Sequence, residues 1–430
     1  MKKRIICWLF ILIMVFSLAG CKSNESPATS GENKETEDVF RVGFGKVDVT
    51  PYTSVNLGGY GDNAARMSMG YVNQLYALSV VMTDAEDNTL ILIVTDLSWG
   101  YYVQAEDVRA AIAEKYGISG EYVMLGGTHT HSAPAYTYAG DEVKEYLAYW
   151  LEGVMTSVEM AMEDRKPAKM HLGRTETEDL NFVRRYWLEN GELMTDTESS
   201  NLPIVGRESE ADEEVQLVKF TREGEKDILM VNWQAHASTL GNTLNISSEW
   251  VGVMRDVVDE ELGCNTIYFQ GACGNINAVS RIEGERRKTS PQECGQNVAD
   301  FVIKAYRDET TFSEVETGLI KVKQEIYMAK QKEGCENKKN DLELNTISIG
   351  DLSVVTFPLE MFSITGQQIK EQTPYKMTFL MGYTCGVQDY CPDEKAYENG
   401  GYEVTKCYFV KGTAEEMVSI YLKNLQELHQ

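Results

Sequence analysis

The stretch Tyr122-Val123-Met124-Leu125-Gly126-Gly127-Thr128-His129-Thr130-His131-Ser132-Ala133-Pro134 reads as a buried strand running into a tight turn. Tyr122 to Leu125 is short and apolar and carries a β-branched residue, and Gly126 and Gly127 break it. Strand ends beside such turns are where α/β folds place ligand sites. The chain has only five histidines, and two of them stand here one residue apart. In an extended segment His129 and His131 point to the same side. Neutral imidazole is the commonest metal ligand, so the pair reads as a metal or acid/base centre, or else as polar packing.

Other strand-like runs are Tyr76 to Thr83, Thr89 to Asp96, Val215 to Phe220, Ile228 to Trp233, Thr266 to Phe269, Leu352 to Phe357 and Met377 to Met381. Asp84-Ala85-Glu86-Asp87-Asn88 joins the first two as a hairpin. Helical patterns cover Val103 to Tyr116, Asp141 to Asp164, Glu249 to Leu262, Pro291 to Arg307 and Thr413 to Leu428, and Ser248 is placed to cap the third. Hairpins mixed with strand–helix alternation predict an α/β (α+β) fold with mixed β-sheets and flanking helices. No internal repeat and no second linker divides residues 39–430, which are expected to form one large domain. The charged stretch Glu208 to Glu214 and the Lys- and Asn-rich stretch Lys330 to Asn340 read as exposed loops.

At the N-terminus, Lys2, Lys3 and Arg4 precede an almost wholly apolar run from Ile5 to Phe16, and Leu18-Ala19-Gly20-Cys21 follows. This is a secretion signal, too short for a spanning helix. It resembles a bacterial lipoprotein signal, which implies a signal peptide over 1–20 and lipidation at Cys21. Residues 21–38 are polar, with no aromatic side chain, and read as a flexible tether. The folded part is therefore expected at the extracellular face of a bacterial membrane, held by its lipid anchor. Losing Lys2, Lys3 and Arg4 takes the formal charge from -26 to -29. A chain this acidic does not seek nucleic acid or bare anionic lipid. Seven cysteines follow Cys21, an odd count, and no C-x-x-C zinc spacing occurs. The sequence leaves their redox state and the oligomeric state open.

Four further positions bear on chemistry. His236 closes the apolar strand that ends Val231-Asn232-Trp233, as the His129 pair closes its own. Glu360 follows a buried strand and Pro358, where it could bind a ligand or cap the next helix. Tyr390 precedes Cys391-Pro392-Asp393-Glu394. Gln270-Gly271-Ala272-Cys273-Gly274-Asn275-Ile276-Asn277 is a Gly-rich turn after a strand, a shape that brings backbone N–H groups near a ligand.

From about Arg41 onward the chain resembles the zinc-containing N-terminal catalytic domain of the neutral ceramidase family. The matching segments come in the family's order: Val42 to Pro51, Gly58-Gly59-Tyr60-Gly61, Val94-Thr95-Asp96, and Thr128 to Pro134. His236, Glu360 and Tyr390 fall in segments like those that complete the family's metal site. The resemblance implies zinc held by His129, His236, Glu360 and Tyr390, with His131 beside the reacting carbonyl. It implies a zinc-dependent amidohydrolase acting on an N-acylated lipid or another small amide.

Two departures qualify that expectation. The family's Gly-rich turn carries a serine proposed as nucleophile, and Asn277 stands in its place here. Because an amide is no hydroxyl nucleophile, metal-activated water is the expected attacking group, with Asn277 donating to an oxyanion or holding water. The family's additional C-terminal domain has no counterpart after Gln430. The Asn-Arg-Ser element is altered to Asn181-Phe182-Val183-Arg184-Arg185, where Arg184 or Arg185 binds a polar substrate group or forms a solvated surface pair. Gly274 is counted with the substrate-binding positions. The competing class is a lipoprotein that binds a solute, glycan or lipid without turnover.

Overall fold

Three strand–helix–strand crossovers frame the molecule, and each ends or begins at a residue singled out above. Thr89–Thr95 runs parallel to Val123–Gly127 after the helix Tyr102–Tyr116. Ile228–Trp233 runs parallel to Asn265–Gln270 after the helix Glu249–Leu262. Leu352–Thr356 runs parallel to Met377–Met381 after the helix Ser363–Gln372. Parallel neighbours need such crossovers, and their faces are covered by helices, which is why these strands read as nearly continuous apolar runs.

The computed structural model describes residues 39–60, 66–135, 141–386 and 389–430. The signal over 1–20, the tether over 21–38, Cys21 and Gly61 lie outside the described residues. Residues Asp38–Gln430 form one compact unit.

Among the described residues the first two crossovers form the two ends of a nine-stranded sheet. Its middle is antiparallel: Glu214–Arg222, Lys166–Glu176, Arg41–Asp48 and Tyr76–Thr83 follow one another, and Phe312–Val315 adds to Lys166–Glu176. The third crossover belongs to a four-stranded sheet that begins with the antiparallel strands Ile320–Met328 and Asp341–Ile349. One apolar cluster joins the two sheets, with Val42, Leu92, Met230 and Phe269 from the first and Ile347, Val354 and Phe379 from the second.

The large sheet curls so that its two ends approach each other. Asn265–Gln270 touches both Val123–Gly127 and Met377–Met381. Gly382 N donates to Gln270 O at 2.9 Å, Cys385 N to Leu125 O at 2.9 Å, and Gln270 Nε2 to Thr128 O at 3.2 Å. The carboxyl ends of all three crossovers therefore meet in one place.

The mixed α/β architecture agrees with the sequence reading, and most element boundaries fall within two residues of those expected. Two local expectations are corrected. Ser248 does not cap its helix through its side chain; Ser247 Oγ accepts from Glu249 N at 2.9 Å instead. The stretch around Glu208 to Glu214 is not a solvated loop, because Asp212 is buried against Lys370 at 2.5 Å and Glu208 pairs with Arg185. All seven described cysteines are free thiols.

Candidate metal centre

His129 leaves its strand with a left-handed backbone, φ 63°. A β-branched or bulky side chain rarely adopts this region, and the surroundings must hold it there. His129 N donates to Leu97 O at 3.0 Å, its Nδ1–H donates to Ser98 O at 3.0 Å, and its ring stacks on Tyr383 at 3.9 Å. The segment is thus not a regular extended strand. His129 and His131 nevertheless meet, their Nε2 atoms 3.3 Å apart.

His236 is fixed in the same manner. Its N–H donates to Ile276 O at 3.0 Å and its Nδ1–H to the same carbonyl at 2.9 Å. The two histidine turns are tied together, with His131 N donating to Ala237 O at 3.0 Å. Glu360 comes from the third crossover and is buried, and it pairs with Tyr390 in a two-residue parallel ladder, Glu360–Met361 beside Tyr390–Cys391. Glu360 does not cap the following helix; Phe362 occupies that position.

These anchors decide the tautomers. An Nδ1 that donates to a carbonyl leaves Nε2 with its lone pair free. The Nε2 lone pairs of His129 and His236 both face Glu360 Oε2, at 3.7 and 3.2 Å, and that oxygen accepts no hydrogen bond. Three electron-rich atoms converge; Arg184 Nη1 donates to one of them, His236 Nε2, at 3.3 Å, and nothing donates to Glu360 Oε2, an arrangement that a cation relieves. A tetrahedral centre with bonds of about 2.0–2.1 Å needs ligand atoms about 3.3 Å apart. The donor set and its spacing fit a metal ion. The nitrogens of His129, His131 and His236 lie within 4.8 Å of one another, a cluster that could hold the ion. His131 differs from the other two, since its Nδ1 has no hydrogen-bond partner.

Burial keeps all three imidazoles neutral. It drives His129 down to about 3 against the pull of Glu360, with His236 adding to the fall. It holds His131 well below the usual value, helped by His129, and His236 likewise, helped by Arg184. Burial raises Glu360, with His129 and Arg184 opposing.

A cavity of about 390 Å³ opens onto this cluster, with His131, His236, Tyr390, Arg184, Asn277 and Asp196 among its walls. A larger cavity of about 530 Å³ lies elsewhere, beside Arg109 and Glu343, which are paired to each other at 2.7 Å. The smaller cavity is the candidate site, because it alone of the two reaches the imidazoles.

The model of the neutral/alkaline non-lysosomal ceramidase N-terminal domain matches residues 40–268, more than half of the chain. The chain belongs to the neutral/alkaline non-lysosomal ceramidase family. A neutral ceramidase of Pseudomonas aeruginosa is 25% identical over 222 residues, which span 49% of this chain and 32% of that protein. The chain thus aligns with about a third of that relative's length. The crystal structure of neutral ceramidase from the same organism superposes with a TM-score of 0.76 at 18% identity, over 91% of this chain and 74% of that one. A structure of a ceramidase complexed with C2 gives a TM-score of 0.76 at 17% identity, over 91% of this chain and 75% of that one. These matches fix the fold.

The ceramidase-like positions outside the histidine cluster are not all what the sequence suggests. Arg184 and Arg185 are both buried, so they are not a solvated surface pair. Arg184 reaches the centre: its Nη1 donates to His236 Nε2 at 3.3 Å and its Nη2 to the Tyr390 hydroxyl at 3.0 Å, while Nε pairs with Glu403 at 3.0 Å. Arg185 points away, its guanidinium taken by Glu208 at 2.5 Å, Glu403 at 2.8 Å and the Gly400 carbonyl at 2.8 Å. It holds the fold and is not among the residues that line the cavity. Gly274 is also structural: its N–H donates to Met361 O at 2.9 Å, and a Cβ there would run into the Glu360 carbonyl. Asn277 lines the cavity as expected of the serine position, but its Nδ2 donates to Asp196.

Sequence reasoning gave no role to Asp196, Tyr60, Tyr383 or Glu403. Tyr60 lay inside a quoted family segment. Asp196 sits in the polar Thr195-Asp196-Thr197, and Glu403 in a helix of ordinary composition, so neither carries a local signal.

Proposed function

We propose that this protein is a zinc-dependent amidohydrolase that cleaves the amide bond of an N-acylated lipid or a related small amide. The observation that carries the reading is the convergence of two anchored imidazoles on the unpartnered Glu360 Oε2, beside a cavity that His131, His236 and Tyr390 line. His129, His236 and Glu360 would hold the zinc, and Tyr390 completes the set. Two nitrogens, a carboxylate and a phenol oxygen suit that ion. When bound, zinc would polarise the substrate carbonyl and lower the pKa of a water towards about 7.

The chain's own residues do the rest. His131 is neutral and keeps a free Nδ1, so it can accept a proton and return it to the leaving amine. Arg184 bridges His236, Tyr390 and Glu403 and fixes their positions. Asn277 cannot serve as a hydroxyl nucleophile, which favours attack by water. We propose further that residues 1–20 are a signal peptide and that Cys21 carries the lipid that tethers the catalytic domain, residues 39–430, outside a bacterial membrane.

Asn277 at the serine position also supports a second reading, a lipid- or glycan-binding protein without turnover. Metal analysis of the purified protein, followed by an N-acyl amide hydrolysis assay with and without chelator, separates the two. Stoichiometric zinc with chelator-sensitive hydrolysis supports the enzyme. Zinc without turnover on any amide supports the binder, and absence of bound zinc overturns both the cofactor and the mechanism.

A further inference from the structure

His129 is boxed in by aromatic rings. Tyr383 is fully buried and lays its ring flat on the His129 imidazole, with 3.9 Å between centroids and 24° between planes. Trp99 meets both rings at a steep angle, 5.6 Å from His129 and 4.8 Å from Tyr383. His131 and His236 stand steeply to the same imidazole, at 4.8 and 4.7 Å. The backbone of Tyr383 is left-handed, φ 57°. Glycine adopts that region freely, whereas a bulky side chain is strained there and persists only where its surroundings over-determine it. The surroundings of Tyr383 do so from all three crossovers. It follows Met377–Met381, the last strand of the third. Its carbonyl accepts from Gly100 N at 2.7 Å and from Gly127 N at 3.2 Å, both in the first. Its hydroxyl lies 3.0 Å from the buried Cys273 Sγ, in the Gly-rich turn after the second.

We propose that Tyr383 is a positioning residue that sets the plane of the His129 imidazole and so aims its Nε2 at Glu360. Tyr383 does not line the cavity beside the histidines, so it acts through His129 and not on a substrate. The bond from His129 Nδ1 to Ser98 O holds the ring at one point and leaves it free to tilt. A flat aromatic face fixes the plane as well. An aliphatic side chain of similar bulk fills the space without supplying a plane. The inference rests on the metal reading for the use of Nε2, but the stack itself stands without it.

The test uses the full chain with isotope-labelled histidine, read by imidazole nitrogen NMR in the metal-free state and by zinc affinity against a chromophoric chelator. In the metal-free wild type His129 should be a single tautomer, protonated at Nδ1, its signal assigned by its loss in His129→Asn. Tyr383→Leu removes the flat face, so the ring can turn from Ser98. It should give mixed tautomers or a broadened signal at His129, and zinc affinity weaker by about 10–100-fold. Tyr383→Phe keeps the ring and loses only the hydroxyl, so it should keep the single tautomer and the wild-type affinity. A single Nδ1–H tautomer with unchanged affinity in folded Tyr383→Leu overturns the inference, and so does a Tyr383→Phe variant that loses as much as Tyr383→Leu. Tyr383→Met replaces the Leu variant if that one does not fold; if neither folds, Tyr383 is a core residue of the fold and the inference falls. A wild type that binds no zinc sinks the metal reading and leaves the tautomer comparison to decide on Tyr383.

Discussion

Glu360 and Tyr390 face each other as Cα partners in a parallel ladder only two residues long. Opposed residues of parallel strands project to the same side, so this ladder delivers a carboxylate and a phenol oxygen together. The Tyr390 hydroxyl accepts from Arg184 Nη2 at 3.0 Å, and its nearness holds the Glu360 carboxyl down against the upward push of burial. Tyr390→Phe should therefore lower metal affinity by about 10–100-fold while leaving the fold in place. Competition against a chromophoric chelator measures it, and unchanged affinity would remove Tyr390 from the site.

Glu360 is costly in the metal-free protein. Its Oε2 is buried without a donor and faces two lone pairs. Glu360→Gln removes the charge and supplies an amide N–H. The metal-free variant should be as stable as the wild type or more so, by about 1–3 kcal/mol. Added zinc should reverse the order. Calorimetric melting of both proteins, with and without the metal, tests the sign.

Acid should unfold the metal-free protein through its histidines. In the folded state burial holds His129 near 3, and His131 and His236 are lowered too. Unfolded imidazoles take up protons below about pH 6.5. Between that value and about 3 the unfolded chain binds more protons, so stability falls as pH falls through this window. Glu360 opposes this, because its raised pKa lets the folded carboxyl take up a proton first. With three histidines against one carboxylate, the melting temperature should drop between pH 6.5 and 4.5, and the slope should shrink in His131→Asn. A flat profile would mean that the imidazoles are charged in the fold.

Arg185→Met leaves the Glu208 carboxylate without its ion-pair partner and Glu403 with Arg184 alone, both carboxylates largely shut off from solvent. Breaking such a pair costs about 3–5 kcal/mol. The same variant should retain its substrate affinity per folded molecule, since Arg185 donates to no group in the cavity. A KM shift without loss of stability would restore Arg185 as a substrate residue.

Much of this site could be read before the fold was seen. Each of His129, His236 and Glu360 ends an apolar strand, and strand ends are visible as breaks in hydrophobic runs. Their meeting could not be read, because it depends on the curl of the nine-stranded sheet. Arg184 and Arg185 looked alike in sequence; only the fold shows that Arg184, between two short strands, reaches the cavity while Arg185, at the start of the second, does not. The Ser248 cap failed for a similar reason, since Asn73 Oδ1 holds Ser247 and Ser248 from a distant segment and shifts the capping role by one residue.

The centre draws His129, His236 and Glu360 from three separate crossovers, and the family match over residues 40–268 ends before Glu360 and Tyr390. A growing chain therefore has no complete set of donors until Tyr390 has been synthesised. A chain stopped before Glu360 holds the three imidazoles alone, so the carboxylate and the phenol oxygen are the last donors to arrive.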